Sequence, residues 1–433
     1  MVEAMGIHSP HDEDHPRGAG FKRLTPVNEA HRILLRNVST RIGEERVSVN
    51  DGLGRILAED IVSPLDVPPF NRAAMDGLAV RAEDTYGASP SAPIMLRSVG
   101  NLVIAEIPRI KVGKNEGAMV VTGGRLPDGA NAVVMVEYTK QLGDGTVEIS
   151  TSTRPGENVS HLGEDVSKGT IILRKGTRIL PQDMGMLTGL GIREITVKSK
   201  PRVAVVSSGN ELSEDPVPGK TADVNRPMLL AAVRDLGCEP IDLGIVHDDY
   251  EAIRVRLSAA LKSADIVLVT AGTSVGPGDI VPKVIDSLGP PGILVHGVAI
   301  RPSMPTGLGV ADGKAVISLP GYPVSAYIAF IEFVPPLVAH LLGSKLQPPP
   351  TVKAKLTRRV AGVLGSRTYV RVTVAGDETG LIAEPIRTSG AGILSSLVQA
   401  NGFIIVPENV EGYEEGELVD VELFRPWEIT GDE

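Results

Sequence analysis

The sequence predicts a multidomain α/β protein built on one parallel sheet, with smaller β-rich regions before and after it in the chain. Three observations carry this expectation. Between Arg202 and Leu342, short apolar β-branched runs alternate with helix-like runs, the spacing of βαβ units whose right-handed crossovers make a parallel sheet. From Leu78 to about Glu157 the apolar runs are short and punctuated by glycine, as in a small β domain. Beyond the rigid linker Pro348-Pro349-Pro350, strand-like alternation returns. At 433 residues the chain exceeds one compact core and suits about three or four domains.

Residues 1–24 are rich in His, Asp, Gly and Pro and carry no apolar period, which predicts a flexible tail. Ala30, Ile33, Leu34 and Val38 then recur at helical spacing. Residues 47–61 mix strand-like and helix-like signals and lead into the extended Pro64-Leu65-Asp66-Val67-Pro68-Pro69, a candidate domain crossing. In FNRAAMDGLAV, Phe70 to Val80, the pair Asp76-Gly77 between apolar flanks could by spacing be a simple hairpin turn. Short strands are predicted at 78–80, 94–96, 119–121 and 132–135, around TGGRLPDGANAVVMVE, Thr122 to Glu137. NVSHLGEDVSKGT, Asn158 to Thr170, is polar and turn-rich and holds Glu164-Asp165. A helix over 181–190, begun by Pro181 and ended at Gly189 or Gly191, is expected to return and pack on the first helical region.

In the parallel-sheet region, strand 203–206 runs into SSGNEL, strand 240–243 into VHDD, strand 266–269 into TAGTSVGPGD and strand 315–318 into LPGYPVSA. Helices are predicted over 226–236, 250–261 and the apolar stretch 325–342. The last β domain has predicted strands at 352–356, 369–374, 381–385 and 402–406, with Arg367, Arg371 and the small-residue run Ser389 to Ser396 as its chemical features.

Composition excludes several function classes. A net charge of −10 and a pI near 5.4 argue against nucleic acid or an anionic membrane as the main partner. Cys238 is the only cysteine, so no disulfide framework or Cys-based zinc or iron–sulfur site forms, and its place beside Gly237 favours buried packing over a nucleophile. The stretch 325–342 contains Glu332 and Pro335-Pro336, which fits a buried helix better than a membrane span. The opening residues lack a signal-peptide pattern, and a cytoplasmic location is expected.

In a parallel α/β sheet, all four polar loops leave the same carboxyl edge, where ligands bind. That edge would gather Ser208, Gly209, Glu211, Asp248, Asp249, Thr273, Ser274, Asp279, Gly321 and Ser325. Thr270, Gly272, Thr273, Ser274, Gly276 and Gly278 offer hydroxyls and open backbone N–H groups suited to an anion. Carboxylates beside such a cradle suggest a divalent hard cation between ligand and protein. For Asp248, Asp249 and Ser325, helix capping is an equal alternative.

At this point the sequence resembles the molybdopterin molybdenumtransferase family, the MoeA proteins and the E domain of gephyrin. PPFNRAAMDGLAV, TGGRLPDGANAVVMVE, NVSHLGEDVSKGT, VAVVSSGNEL, VTAGTSVGPGD and LPGYPVSA follow in that family's order, from about Leu24 to the C-terminus. The resemblance implies an elongated domain of two segments (25–66 and 158–200), an inserted β domain (67–157), an α/β molybdopterin-binding domain (201–346) and a C-terminal β-barrel-like domain (347–433). It implies a homodimer whose cleft lies at the subunit interface. The implied reaction takes adenylated molybdopterin and molybdate, releases AMP and leaves the metal on the pterin dithiolene, with Mg²⁺ neutralising charge.

By motif matching, the resemblance implies catalytic roles for Asp76, Asp165, Glu211 and Asp279, and metal-side roles for Glu211, Asp248 or Asp249, and Asp279. Thr273, Ser274 and Gly276, with Gly272, would hold the pterin phosphate. Further substrate contacts are implied at Thr122, Ser208, Gly209, Arg301, Pro302, Pro305, Pro320, Gly321 and Ser325, and at Arg367, Arg371, Ser395 and Ser396 as oxyanion positions. The chain departs from the family in three places. RPSMP, Arg301 to Pro305, replaces Lys-Pro-Gly-Lys-Pro, so Met304 stands where a lysine is usual; Tyr322 stands for asparagine and Leu78 for tyrosine. The missing cation is a charge-assisted contact worth about 1.5–3 kcal/mol when partly buried. Two rival readings follow: a molybdopterin-binding scaffold that does not insert metal, and an enzyme specialised for tungstate.

Overall fold

The computed structural model describes residues 24–271, 280–377, 380–386 and 391–429. The chain divides into two compact units: Met1–Glu45, Gly54–Ile56 and Val197–Glu433 form the first, and Arg46–Leu53 with Leu57–Thr196 the second. The expected tail lies, but for Leu24, outside the described residues. Helix α1, Val27–Asn37, follows Pro26 in the first unit and buries Val27, Ala30 and Leu34, the i, i+3, i+7 stripe of an amphipathic helix.

The second unit is organised on a sheet of six strands: β1 (Gly77–Val80), β2 (Ile94–Asn101), β3 (Glu116–Val120), β4 (Ala132–Met135), β5 (Thr139–Leu142) and β6 (Thr146–Ile149). Their order is β4-β1-β3-β2-β6-β5. Every residue of β1 is buried, and it pairs antiparallel with both β3 and β4. The hairpin reading of Asp76-Gly77 is therefore corrected. The preceding Arg72–Ala73 does not pair with β1; it pairs with Val159–Ser160. Gly77 is needed because a Cβ there would lie 1.9 Å from the Val134 carbonyl oxygen. The returning segment forms a second pairing, Ile171–Leu173 against Ile61–Val62, and helix α2, Pro181–Gly189, begins at proline as expected.

The first unit holds the second six-stranded sheet: β7 (Arg202–Ser208), β8 (Glu239–Val246), β9 (Ile266–Ala271), β10 (Pro291–His296), β11 (Gly307–Ala311) and β12 (Lys314–Pro320), in the order β8-β7-β9-β12-β11-β10. The four strands expected from sequence are parallel. The sheet as a whole is mixed, because β11 runs antiparallel to both β12 and β10. Its glycine-rich GLGVA lacks the dense β-branched pattern of the central strands; the tight turn at Asp312-Gly313 pairs it with β12, and β10 pairs along its other side. One face, with Val203, Val205, Leu268 and Ile317, packs on α1, α3 (Asn225–Asp235) and α6 (Pro323–Leu342). The other, with Ala204, Val206, Val267 and Val269, packs on α4 (Tyr250–Ser263) and α5 (Ile280–Ser287). Successive residues of the central strands β7 and β9 thus enter opposite cores, which is why residues 203–206 and 266–269 are apolar throughout. Among the described residues α6 is the one helix long and apolar enough to cross a membrane, and 67% of that stretch is buried, the mark of a core helix.

The C-terminal strands β13 (Thr351–Leu356), β14 (Arg367–Asp377), β15 (Gly380–Pro385), β16 (Gly402–Val406) and β17 (Leu418–Leu423) run β14-β15-β13-β17-β16 and close through a β14–β16 pairing. The barrel is joined to the sheet layer by Glu332 of α6, 7% exposed. Its carboxylate accepts hydrogen bonds from the Tyr369 hydroxyl at 2.5 Å and Arg367 at 3.1 Å, and lies 2.7 Å from His31 Nε2. Burial pushes the Glu332 carboxyl up; the bonds from His31 and Tyr369 and the charge of Arg367 outweigh it and hold the group below the usual carboxylate range. A depressed carboxylate contributes stability above its unfolded value of 4.5 and loses it as pH falls through the folded one. We expect Glu332→Ala to cost about 3–5 kcal/mol in urea denaturation of the first unit. Glu332→Gln should remove the loss of stability on acidification below that value, read as a flattened melting-temperature profile.

Candidate functional site

The carboxyl edge of the parallel strands ends at Ser208, Val246, Ala271 and Pro320, in register across the sheet. Ser207, the residue before the edge, is fully buried and holds the edge together: its hydroxyl donates to Asp223 Oδ1 at 2.9 Å and lies 2.9 Å from Thr270 Oγ1. Asp223 also accepts from Arg226 N and Nε at 3.1 and 3.0 Å. Arg226 continues to Asp242 at 2.6 Å and Glu214 at 3.1 Å. Burial lowers the Arg226 pKa, but its bonds to Asp242 and Asp223 outweigh that and hold it above the usual arginine value, so this guanidinium is a fixed charge.

Ser208 Oγ donates to Asp248 Oδ1 at 2.5 Å, which joins the ends of two neighbouring strands. Asp249 resolves the capping alternative: it is the N-cap of α4, and its Oδ1 accepts from Ala252 N at 2.8 Å. Asp248 is therefore the carboxylate that faces the edge. Glu211 is exposed and folds back over Gly209, where a Cβ would come within 2.9 Å of both its oxygens. On the β12 side, Pro320 is buried and Gly321 half-buried; Asn225 Nδ2 donates to the Gly321 carbonyl at 2.7 Å. Ser325 is 4% exposed, and its carbonyl accepts from Ser303 Oγ at 2.6 Å, which straps the RPSMP turn to the start of α6. Within that turn Arg301 is exposed and Pro302, Met304 and Pro305 are half-buried.

Gly272, Thr273, Ser274, Gly276 and Asp279 lie outside the described residues. Arg367 is engaged by Glu332, by Asn28 Oδ1 at 2.9 Å and by Glu408 at 3.3 Å. Arg371 is 2% exposed inside the barrel wall, where burial lowers its pKa. Ser396 is buried and its hydroxyl donates to the Ile393 carbonyl at 2.6 Å, whereas Ser395 is exposed. The structure thus joins Ser208, Gly209, Glu211, Asp248, Gly321 and Ser325 on one edge and places Arg367 and Arg371 in the packing of the barrel.

In the second unit Asp76 is exposed, and its Oδ1 accepts from both the hydroxyl and the backbone N–H of Thr122 at 2.6 Å. The Thr122 hydroxyl first, then its amide, hold the Asp76 carboxyl below the usual range, so it is ionised at neutral pH. Asp165 N donates to Val67 O, beside the Val67↔Val166 bridge, while Asp76 follows the other end of the same segment, where Ala73 meets Val159. The two carboxylates therefore leave this ladder at different ends. A separate cavity of about 830 Å³ lined by residues 101–103 and 106–110 includes none of the expected site residues.

Among the described residues no three His, Cys, Asp or Glu side chains gather as a metal site. Mg²⁺ does not require such a cage: it keeps several waters and takes one or two carboxylates together with substrate phosphates. Asp248 and Glu211, hard oxygen donors exposed at the edge, fit that demand. Cys238 is buried with its thiol pushed up to about 12, chiefly by burial, in keeping with a packing role. Sequence reasoning missed Asp223, Asn225 and Arg226; the run Asp-Val-Asn-Arg at the head of α3 was the available signal, since Asp and Asn are favoured where a helix begins.

Three family profiles match the chain in order: the MoeA N-terminal region (domain I and II) over residues 25–191, a probable molybdopterin binding domain over 204–340, and the MoeA C-terminal region (domain IV) over 353–424. The chain belongs to the MoeA family. It is 40% identical over 420 residues to a putative molybdopterin biosynthesis protein of Methanocaldococcus jannaschii, covering 94% of this chain and 99% of that one. It is 33% identical over 418 residues to a Bacillus subtilis protein named molybdopterin molybdenumtransferase, covering 93% and 96%. The crystal structure of a molybdopterin biosynthesis moeA protein from Pyrococcus horikoshii OT3 is similar with a TM-score of 0.82 at 37% identity, covering 93% of this chain and all of that one.

Ser303 stands where the family run has glycine, and its φ of 131° lies in the region that favours glycine. Its bond to Ser325 compensates for that conformation. Ser303→Ala, which keeps the strain and loses the bond, should destabilise by about 1 kcal/mol. Ser303→Gly should be about 1–3 kcal/mol more stable than the alanine variant, both read as denaturation midpoints of the full chain.

Proposed function

We propose that this chain is a molybdopterin molybdenumtransferase of molybdenum cofactor biosynthesis, which inserts molybdate into adenylated molybdopterin and releases AMP. The observation that carries the reading is the carboxyl edge itself. In a MoeA-family chain, the hydroxyl-anchored carboxylate Asp248, the exposed Glu211 and the half-buried Gly321 turn stand on the one sheet edge where a phosphoanhydride would be bound.

Bound Mg²⁺ would neutralise charge on the phosphoanhydride. The chain's own groups do the rest. Asp248, held by Ser208, and Glu211 supply hard oxygen atoms at fixed positions. The Ser207–Asp223–Arg226 network keeps the strand ends rigid, so the edge reorganises little on binding. Asp76 enters the reading as an ionised carboxylate oriented by Thr122, suited to accept a hydrogen bond or a metal-bound water. Purified protein supplied with adenylated molybdopterin, Mg²⁺ and molybdate should release AMP in proportion to metal incorporated, and chelation should stop it. Asp248→Asn and Asp76→Asn should each lower turnover on the order of 100-fold. Pterin binding with neither AMP release nor metal incorporation would point to the scaffold alternative; incorporation from tungstate alone would point to the tungstate enzyme.

The reading includes a homodimer. Val62 and Ile171 are direct partners in an antiparallel pairing yet are 48% and 40% exposed, an apolar pair that a second copy would cover. Val62→Asp with Ile171→Asp should convert a dimer to a monomer in light scattering; a wild-type monomer at micromolar concentration would remove the dimer from the reading.

A further inference from the structure

We propose that Tyr322 is a stacking platform for a planar heteroaromatic ring of the substrate, pterin or adenine, at the β12 end of the sheet edge. The proposal rests on the transferase reading and adds a residue to it. The chain is poor in aromatics, with six Phe, seven Tyr and one Trp. Among the described residues only Tyr86, Tyr138, Tyr250, Tyr322 and Trp427 are exposed aromatics. Tyr322, at 57%, directly follows Gly321 at the end of β12, so a large apolar ring stands in solvent on the edge that gathers the site's carboxylates and hydroxyls.

Its position is fixed from three sides. Asn225 Nδ2 holds the Gly321 carbonyl at 2.7 Å, Ala326 N donates to the Tyr322 carbonyl at 2.8 Å, and Val324 N donates to Ala391 O at 3.1 Å. The ring lies beside Gly392, where a Cβ would come to 3.3 and 3.5 Å from the ring carbons Cδ1 and Cε1. Absence of a side chain at 392 therefore seats the ring without covering it. A tyrosine has only two side-chain torsions to restrict, and a pre-seated ring has less still to lose when a ligand stacks on it.

The support of the ring is itself buried: Asn225 is 8% exposed and its Nδ2 is bonded to the turn that carries Tyr322. An exposed ring held from beneath in this way is complementary to a ligand that offers a planar aromatic face. Pterin and adenine both offer such a face. By contrast, Tyr250, the other exposed aromatic after a strand of this sheet, is 37% exposed and begins α4 behind the Asp249 cap.

The test is a binding titration of the full chain with two separate probes, a 6-alkylpterin phosphate followed by its own fluorescence and AMP followed by calorimetry. Wild type and Tyr322→Phe should bind alike within about twofold, and Tyr322→Ala should bind one probe about 10- to 100-fold more weakly, the factor an aromatic stack supplies. The affected probe identifies the ring. Equal affinity of Tyr322→Ala and wild type for both probes overturns the proposal and leaves the transferase reading intact. A loss in Tyr322→Phe as large as in Tyr322→Ala also overturns it, since the ring face is kept in that variant. Wild-type protein that binds neither probe overturns the proposal and the transferase reading together.

Discussion

The first unit depends on one buried carboxylate. Glu332 sits in the middle of an otherwise apolar helix, and removing it from water is costly unless every lone pair is used. The protein meets that demand from three directions: His31 from α1, Tyr369 and Arg367 from the first long strand of the barrel. Because the partners come from elements far apart in the chain, satisfying one carboxylate fixes the N-terminal helix, the core helix and the barrel relative to one another. The aromatic contacts follow the same line, with His31 on Phe333 at 4.8 Å and Tyr369 edge-on to Phe403 at 5.8 Å.

The start of α6, nine residues before Glu332, reaches the sheet edge. The helix that is anchored at its middle therefore carries Gly321, Tyr322 and Ser325 at its beginning, and Ser303 ties the RPSMP turn to the same end. On the other side of the sheet centre, the Ser207–Asp223–Arg226 network performs the equivalent task for the β7 and β8 loops. A site whose supports are buried and hydrogen-bonded can hold exposed carboxylates without letting them drift. The departures from the family at Ser303, Met304 and Tyr322 all fall on this α6 side, where a cation is lost and an aromatic ring is gained.

Much of the fold was legible because burial on both faces leaves a strong local record. The runs 203–206 and 266–269 are apolar throughout, and together with 240–243 and 315–318, each set off by a helix-length segment, they admit few arrangements other than a parallel sheet. The carboxyl-edge loops followed from that topology, and Ser208, Asp248 and Gly321 with them. Strands β10 and β11 were not legible: the glycine-rich β11 carries no period and owes its pairing with β12 to a turn, and β10 pairs with the edge that β11 then presents. Asp76-Gly77 showed the limit of a local signal: the same dipeptide serves a hairpin or the start of a central strand, and only the Val134 carbonyl lying against Gly77 decides which.

The sequence by itself determined the alternation of strands and helices, the edge on which the polar loops converge, and the family through six ordered motifs. Tertiary structure alone decided the roles of individual polar residues, because those are set by partners distant in the chain. Asp248 and Asp249 are neighbours with the same chemistry, yet one meets Ser208 across the sheet and the other caps its own helix. Arg367 carries a charge that could serve an oxyanion, and the fold places it against Glu332. Periodicity records which side of an element faces a core; it holds no record of which oxygen a given side chain meets.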